Sequence, residues 1–240
     1  MVKSKFPKVK ITRNKENLLF TKAHNQNLKL VRGKYFLVLN DDTIIPPSAL
    51  EKMVSFMDSH PKVGLSSCRQ VDAEGKLDLT CSKFPSPIVE FFESSILGNF
   101  TRKLIPISKI ENKISLYRYS SWKRNSTKRV DVIPGVFFLQ KKELTKKVGF
   151  LDENFLLFYE EPDYCKRAKD LGYLSCHVGN VTITHLRAQS LPKLASFRRY
   201  QISEHDRLYY YKKHFGFLWW VFFWIVTRAD WLFWKIKSLI

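Results

Sequence analysis

Leu18, Ala23, Leu28 and Val31 recur at spacings that loosely share one helical face, which predicts a helix over residues 17–31 with Gly33 as its stop. The pattern then changes. Tyr35, Phe36, Leu37, Val38 and Leu39 form an unbroken apolar and aromatic run that ends abruptly in Asn40-Asp41-Asp42. A run so short and so apolar fits a strand buried on both faces, as in a parallel sheet. Pro46 and Pro47 precede Ser48, an N-cap candidate for a helix over residues 49–59. Residues 63–67 are the next candidate strand. Residues 72–129 are Pro-, Ser- and Lys-rich with aromatic islands, and read as a loop-and-helix excursion over the sheet.

From residue 130 the pattern sharpens. Residues 132–139 read as a strand interrupted by Pro134-Gly135, residues 141–148 as a short helix, and residues 160–171 as a helix ended by Gly172. Residues 175–178 and 181–184 are extended. Helices and strands in this order predict an α/β layer structure. At the start, residues 1–16 surround the alternation Val9, Ile11 with lysine and arginine, which reads as a strand edge or an unanchored start.

The tail has a different character. Residues 217–226 carry no charge, and five of the six tryptophans (Trp219, Trp220, Trp224, Trp231, Trp234) fall in the last 22 residues. A bilayer span needs about 20 apolar residues, so the uncharged run is too short to cross one. Tryptophan beside Lys and Arg suits a helix lying among lipid headgroups. A buried C-terminal helix or an oligomer contact is the alternative. The expected division is a domain over residues 1–205 and a membrane-associating helical tail over residues 206–240.

Composition narrows the partners. Lysine and arginine number 41 against 22 acidic residues, a formal charge of +19, which draws the chain toward polyanions. The basic residues are dispersed and no helix-turn-helix, zinc-finger or RNP-like motif occurs, so nucleic acid is not the expected partner. Cys68, Cys81, Cys165 and Cys176 show no C-x-x-C spacing, which argues for reduced thiols rather than a metal ribbon or redox pair. Residues 1–16 have no apolar stretch of the signal-peptide kind.

Three constellations can carry chemistry. Asn40-Asp41-Asp42-Thr43 follows a buried strand, where open α/β sheets place ligands, and carboxylates there can hold a divalent cation against diphosphate oxygens. An Asx-type turn capping the next helix is the alternative. Glu160-Glu161-Pro162-Asp163 opens a predicted helix. Dipole capping is one reading; the other is a general base whose pKa is raised by its acidic neighbours. His185 closes an extended segment and is followed by Arg187, Gln189 and Ser190. It is either a structural histidine or a neutral metal ligand, with Arg187 available to a phosphate.

Taken in order, these segments resemble the family-two glycosyltransferases of A-type fold, in particular the rhamnosyltransferase-like branch that builds bacterial surface polysaccharides. Asn14 through Phe20, then Ala23-His24-Asn25-Gln26, resembles the family's "N-x-x-N-x-G-F … A-x-N-x-G", with Leu19 where that pattern has glycine. Leu37 through Thr43 resembles "LLLNPDT". Val130-Asp131-Val132-Ile133-Pro134-Gly135 resembles "VDWVSGA". Gly149 through Phe155, then Tyr159 through Asp163, resembles "GGFDE-x-F … FEDVDL", and His185 with Gln189-Ser190 resembles "H-x-x-G-x-S".

The resemblance covers roughly residues 6–190. It implies a Rossmann-like α/β fold with a mixed, mostly parallel sheet, lacking the family's N-terminal nucleotide-binding strands and carrying amphipathic, aromatic C-terminal helices. It implies an inverting, metal-dependent transfer of a rhamnose-like or other hexose from a nucleotide-diphosphate sugar to a lipid-linked or polysaccharide acceptor. Asp42 and His185 would hold Mg2+ or Mn2+. Glu161 would be the base, with Glu160 and Asp163 beside it. Asn40, Asp41, Asp131, Gly135 and Arg187 would contact donor or acceptor. The place implied is the cytoplasmic face of the plasma (inner) membrane, peripherally, with an anionic membrane surface as partner and homo-oligomerisation open. A non-catalytic fragment, or a partner of a complete transferase, is the alternative.

Overall fold

The computed structural model describes residues 2–102, 107–186 and 196–237. The elements, in chain order, are α1 (Val2–Lys5), α2 (Leu19–Leu28), β1 (Tyr35–Leu39), β2 (Thr43–Ile44), α3 (Ala49–Ser59) and β3 (Val63–Val71). The excursion then forms α4 (Pro87–Ser94), α5 (Ile96–Arg102) and α6 (Ile107–Arg118). After it come β4 (Lys128–Val130), β5 (Phe137–Lys141), α7 (Lys142–Val148), α8 (Glu160–Asp170), β6 (Leu174–His185), α9 (Ser196–Phe215) and α10 (Phe217–Lys237).

The strands form one sheet in the order β1-β5-β3-β6-β2, with β4 also on β6. It is mixed, as expected, but less parallel than expected. Among the described strands β3 with β6 is the one parallel pairing, and the other four are antiparallel. β1, β3 and β6 do run in the same direction. β5 returns between β1 and β3, antiparallel to both, so the common direction produces only one parallel contact.

Both faces of β1 are covered, which accounts for its continuous apolar run. Phe36 and Val38 point into a core with Leu65, Phe138, Leu144, Tyr164, Cys165 and Ala168, so α7 and α8 cover that side. Tyr35 and Leu37 point the other way, toward Met53 and Met57 of α3 and Phe137, Cys176 and Ile183 of the sheet. Side chains alternate across a strand, and here each set meets its own helical layer. All four cysteines are buried and free.

Three local expectations change. Residues 1–16 give α1 and then no strand, with Val9 and Ile11 exposed and no partner strand to pair them. Ser48 is in the left-handed region (φ +62°) and makes no side-chain cap bond to α3. α2 is shorter than residues 17–31, beginning after Leu18; Leu19 holds φ +58°, at the position where the resembling motif has glycine. A left-handed backbone costs a non-glycine residue about 1–2 kcal/mol.

The expected boundary between residues 205 and 206 falls inside α9. Asp206, Arg207, Tyr210 and Tyr211 are all buried there. Arg207 joins three elements, donating to Ser94 Oγ of α4 (2.8 Å), Thr227 Oγ1 of α10 (2.8 Å) and Glu204 of its own helix (2.7 Å). Tyr210 and Tyr211 pack with Phe155 and Phe223, and Gly216 (φ +91°) turns the chain between α9 and α10. A chain ending at residue 205 loses this cluster and leaves its partners in α4 and the 155–159 segment uncovered. It is expected to lose its cooperative thermal transition, or to melt at least 10 °C lower, in circular dichroism.

Candidate active site

β1 delivers the acidic loop. Asn40 N–H donates to Val136 O (3.1 Å) and Thr43 Oγ1 to Asn40 O (2.7 Å), so the chain turns tightly against the Pro134-Gly135 segment. The two residues of β2 then pair with the end of β6, Thr43 opposite His185, and Leu186 N–H donates to Asp42 O (2.9 Å). That register brings His185 Nε2 to 3.3 Å from Asp42 Oδ1, while Nδ1 lies 3.7 Å from Asp78 Oδ2. Asp42 Oδ1 and His185 Nδ1 are buried and have no hydrogen-bond partner. Ser48, and not a residue of the acidic loop, stands at the N-cap of α3.

The opposite wall is α8. Tyr159 stands before it at φ +66°, and no side chain caps the helix. Glu161 Oε1 instead accepts Gly135 N–H (2.9 Å). A Cβ at residue 135 would stand 2.7 Å from that oxygen, so the Glu161 carboxylate would have to shift to admit one. Glu160 is buried, and its Oε2 has no partner. Burial pushes the Glu160 carboxyl well above the usual range, and the negative charges of Glu161 and Asp206 push the same way. Burial also raises Glu161, partly offset by the Gly135 N–H. A carboxylate whose charge burial disfavours is a stronger proton acceptor than one in water.

An open cleft of about 780 Å³ lies between the two walls, lined by Asn40, Asp41, Asp42 and His185 on one side and Gly135, Glu160 and Glu161 on the other. Two further lining residues carried no sequence signal as site residues. Glu90 of α4 is hydrogen-bonded to the Tyr159 hydroxyl and raised by burial. His24 of α2 donates Nδ1–H to Phe20 O (2.7 Å), and burial lowers its pKa, which favours a neutral ring with Nε2 free to accept. Glu90 lies in the excursion, whose path across the sheet no local pattern reveals. Asp78, beside His185, was missed for the same reason.

Two expected site residues are elsewhere. Asp163 is fully buried on the far side of α8, where it meets Arg167 Nε (2.8 Å), Lys213 Nζ (2.7 Å) and His214 Nε2 (2.9 Å). Burial works against its charge, yet the His214 bond and the nearby cations hold its carboxyl below the usual range. It ties α8 to α9 and does not face the cleft. Asp131 pairs with Lys169 (3.1 Å) near the last turn of α8, the end opposite Glu161. The position of Asp163 follows from the helical period, which turns residues 163 and 161 to different faces. Arg187 lies outside the described residues.

α9 also shapes the cleft. The Asp206 carboxylate accepts the backbone N–H groups of Leu156 (3.1 Å), Leu157 (2.9 Å) and Phe158 (2.9 Å), and Leu157 and Phe158 line the cleft. One buried charge thus fixes the three residues that lead into Tyr159 and the carboxylate pair.

Residues 1–149 match the model of the family "Glycosyl transferase family 2". The chain belongs to glycosyl transferase family 2. The match ends before α8, so Glu160, Glu161, His185 and Asp206 of this family-two chain are assigned by geometry and not by it. No curated protein matches the chain. Among solved structures, it is similar to a mannosyltransferase from Pyrobaculum calidifontis in complex with GDP-Man and Mn2+, at 15% identity and TM-score 0.48, over 85% of this chain and 47% of the other. It is also similar to GalNAc-T7 with UDP, GalNAc and Mn2+, at 10% identity and TM-score 0.53, over 86% and 38%. The latter likeness shows the A-type, Rossmann-like fold. The chain spans less than half the length of either structure.

Glu161→Gln keeps an oxygen for Gly135 and removes a charge that burial penalises. Because the folded state holds this proton more tightly than the unfolded one, wild-type stability falls as pH rises from about 4.5 toward the raised folded value. Glu161→Gln is therefore expected to be more stable than wild type at pH 8 by on the order of 1 kcal/mol, a difference that vanishes at pH 4, in urea melts. Asp206→Asn is expected to speed amide exchange at residues 156–158 at least ten-fold, while β3 and β6 keep their protection, as read by hydrogen–deuterium exchange.

Proposed function

We propose that this family-two chain is the catalytic domain of an inverting glycosyltransferase, moving a sugar from a nucleotide-diphosphate sugar to an acceptor hydroxyl. One observation carries the reading: Asp42 and His185, an oxygen and a nitrogen of metal-ligand type 3.3 Å apart on one wall of a cleft, face the buried carboxyls of Glu160 and Glu161 on the other.

Asp42 and His185 would hold the divalent cation. Among the described residues no three His, Cys, Asp or Glu side chains are already grouped as a metal centre. Asp42 Oδ1 and His185 Nε2, a carboxylate oxygen and an imidazole nitrogen 3.3 Å apart, fit a cation whose remaining ligands are phosphate oxygens and water. Mn2+ or Mg2+ bound there supplies charge neutralisation for a departing diphosphate. Asn40 and Asp41 border the same pocket and are suited to the donor's polar groups. Glu161, held by Gly135 N–H, takes the acceptor proton as the hydroxyl attacks the anomeric carbon from the face opposite the diphosphate. Glu160, buried beside it, resists ionisation more strongly, which leaves Glu161 as the carboxylate of the pair that takes the proton.

The finer reading follows the order of the motifs. A rhamnose-like or other hexose donor, a lipid-linked or polysaccharide acceptor of a bacterial surface glycan, and a peripheral position on the cytoplasmic face of the membrane all agree with that order and with the aromatic, basic tail. Arg187, two residues past His185, is suited to a donor phosphate.

Isothermal titration of UDP and dTDP with and without Mn2+ tests the donor half. Wild type is expected to bind one of them in a Mn2+-dependent manner, Asp42→Ala to bind at least ten-fold more weakly, and Glu161→Gln to bind normally yet transfer at least 100-fold more slowly. Absence of Mn2+-dependent binding to either nucleotide in wild type would overturn the catalytic reading and favour a non-catalytic partner.

A further inference from the structure

α10 has two sides that its contacts hold apart. Phe223, Val226, Thr227 and Asp230 are buried, whereas Leu218, Phe222, Ile225 and Leu232 follow the same helical period on the outer side and are 82%, 37%, 56% and 53% exposed. The orientation is fixed by polar bonds. Asp230 Oδ1 accepts Ile96 N–H at the start of α5 (3.0 Å), and Thr227 Oγ1 accepts from the buried Arg207 (2.8 Å). Rotating α10 to hide its apolar side would strand both groups without partners, so the outward apolar face is a built feature.

The two neighbouring helices also carry exposed apolar side chains. Ile88 of α4 and Leu97 and Phe100 of α5 are exposed. Between α4 and α10 runs a groove of about 480 Å³ walled by Ile88, Phe91, Phe92, Leu218, Trp219 and Phe222. Contiguous apolar surface on this scale marks an interaction site. Its polar companion is cationic. Arg228 lies over the exposed Trp224 ring (5.4 Å) flanking that face, on a chain whose formal charge is +19.

We propose that α4, α5 and the outer side of α10 together dock on an anionic lipid bilayer, with acyl chains entering the α4–α10 groove. Apolar side chains pointing outward, tryptophan paired with Arg, and an excess of positive charge are the three features that interfacial binding to anionic lipid combines. No helix among the described residues is long and apolar enough to cross a membrane, so the helix lies on the surface. The docking face is wider than the tail, because α4 and α5 complete it. α4 also contributes Glu90 to the cleft, and a helix is about 10 Å across, so docking holds the cleft within roughly that distance of the acyl boundary. This inference deepens the membrane part of the proposed function and rests on it, while vesicle binding requires no sugar transfer and can be scored alone.

The test uses the full chain and vesicles of phosphatidylcholine with or without phosphatidylglycerol, read by co-sedimentation. Wild type is expected to bind the anionic vesicles, at least ten-fold more weakly to neutral ones or in high salt. The pair Ile88→Asp with Phe100→Asp, on α4 and α5, and the pair Leu218→Asp with Ile225→Asp, on α10, are each expected to lower binding at least ten-fold. Leu50→Asp, equally exposed on α3, is expected to change nothing. All are surface positions, and unchanged melting curves confirm folding. Acyl-brominated lipid added to wild type is expected to quench tryptophan fluorescence, an arm that needs no variant. Loss of binding in the α10 pair alone would reduce the contact to the tail and overturn the composite face. Equal binding to neutral vesicles, absence of quenching, or variants that dissociate an oligomer while still binding vesicles would overturn the proposal as well.

Discussion

Strand β6 is shared along both of its edges, and most of the molecule depends on that sharing. One edge pairs in parallel with β3 over almost the whole length of both strands and closes the core between α3 and α8. The other edge takes β4 near its start and β2 at its end. Because register has a period of two, the Thr43–His185 pairing leaves no freedom in which residue meets Asp42. A slip of one residue would turn His185 away from the cleft and Ile183 out of the core. The same hydrogen bonds that stabilise the sheet therefore set the distance between Asp42 and His185.

The carboxylate wall depends on a different device. Glu160 and Glu161 sit where burial and mutual repulsion disfavour their charge, so the site stores instability that other contacts must offset. Much of that offset comes through α9. Asp206 holds the backbone that enters Tyr159, and Asp163 faces Lys213, His214 and Arg167 on the other side of α8. Strained backbone gathers here too, with Leu19 and Tyr159 both at positive φ beside the residues that line the cleft. A helix beyond the reach of the family match thus supports the most chemically loaded part of the protein.

Charge and apolar surface occupy different regions of the molecule. The cleft is ringed by carboxylates, whereas α10 shows Arg228 and tryptophan to the outside. α4 touches both regions, with Glu90 turned toward the cleft and Ile88, Phe91 and Phe92 toward the groove. Under the proposed docking, this one short helix would carry the spatial relation between membrane and chemistry.

The amino-acid sequence by itself determined the local pieces. The apolar run of β1, the helices α3, α7 and α8, and the acidic turn after β1 follow from periodicity and from the abrupt change at Asn40, which are short-range properties. The α/β class follows from their order. Asp42, Glu160, Glu161 and His185 stood out because each lies at the end of a predicted element, and Gly135 entered through the family resemblance. Tertiary structure alone decided the rest. Which strands are neighbours depends on β5 passing between β1 and β3, a long-range event that leaves no local trace. Asp163 turned from the cleft because an α-helix rotates 100° per residue and α9 supplied cations on that side. Glu90, Asp78 and Asp206 joined the site from segments more than 35 residues distant from their partners, where only packing brings them together.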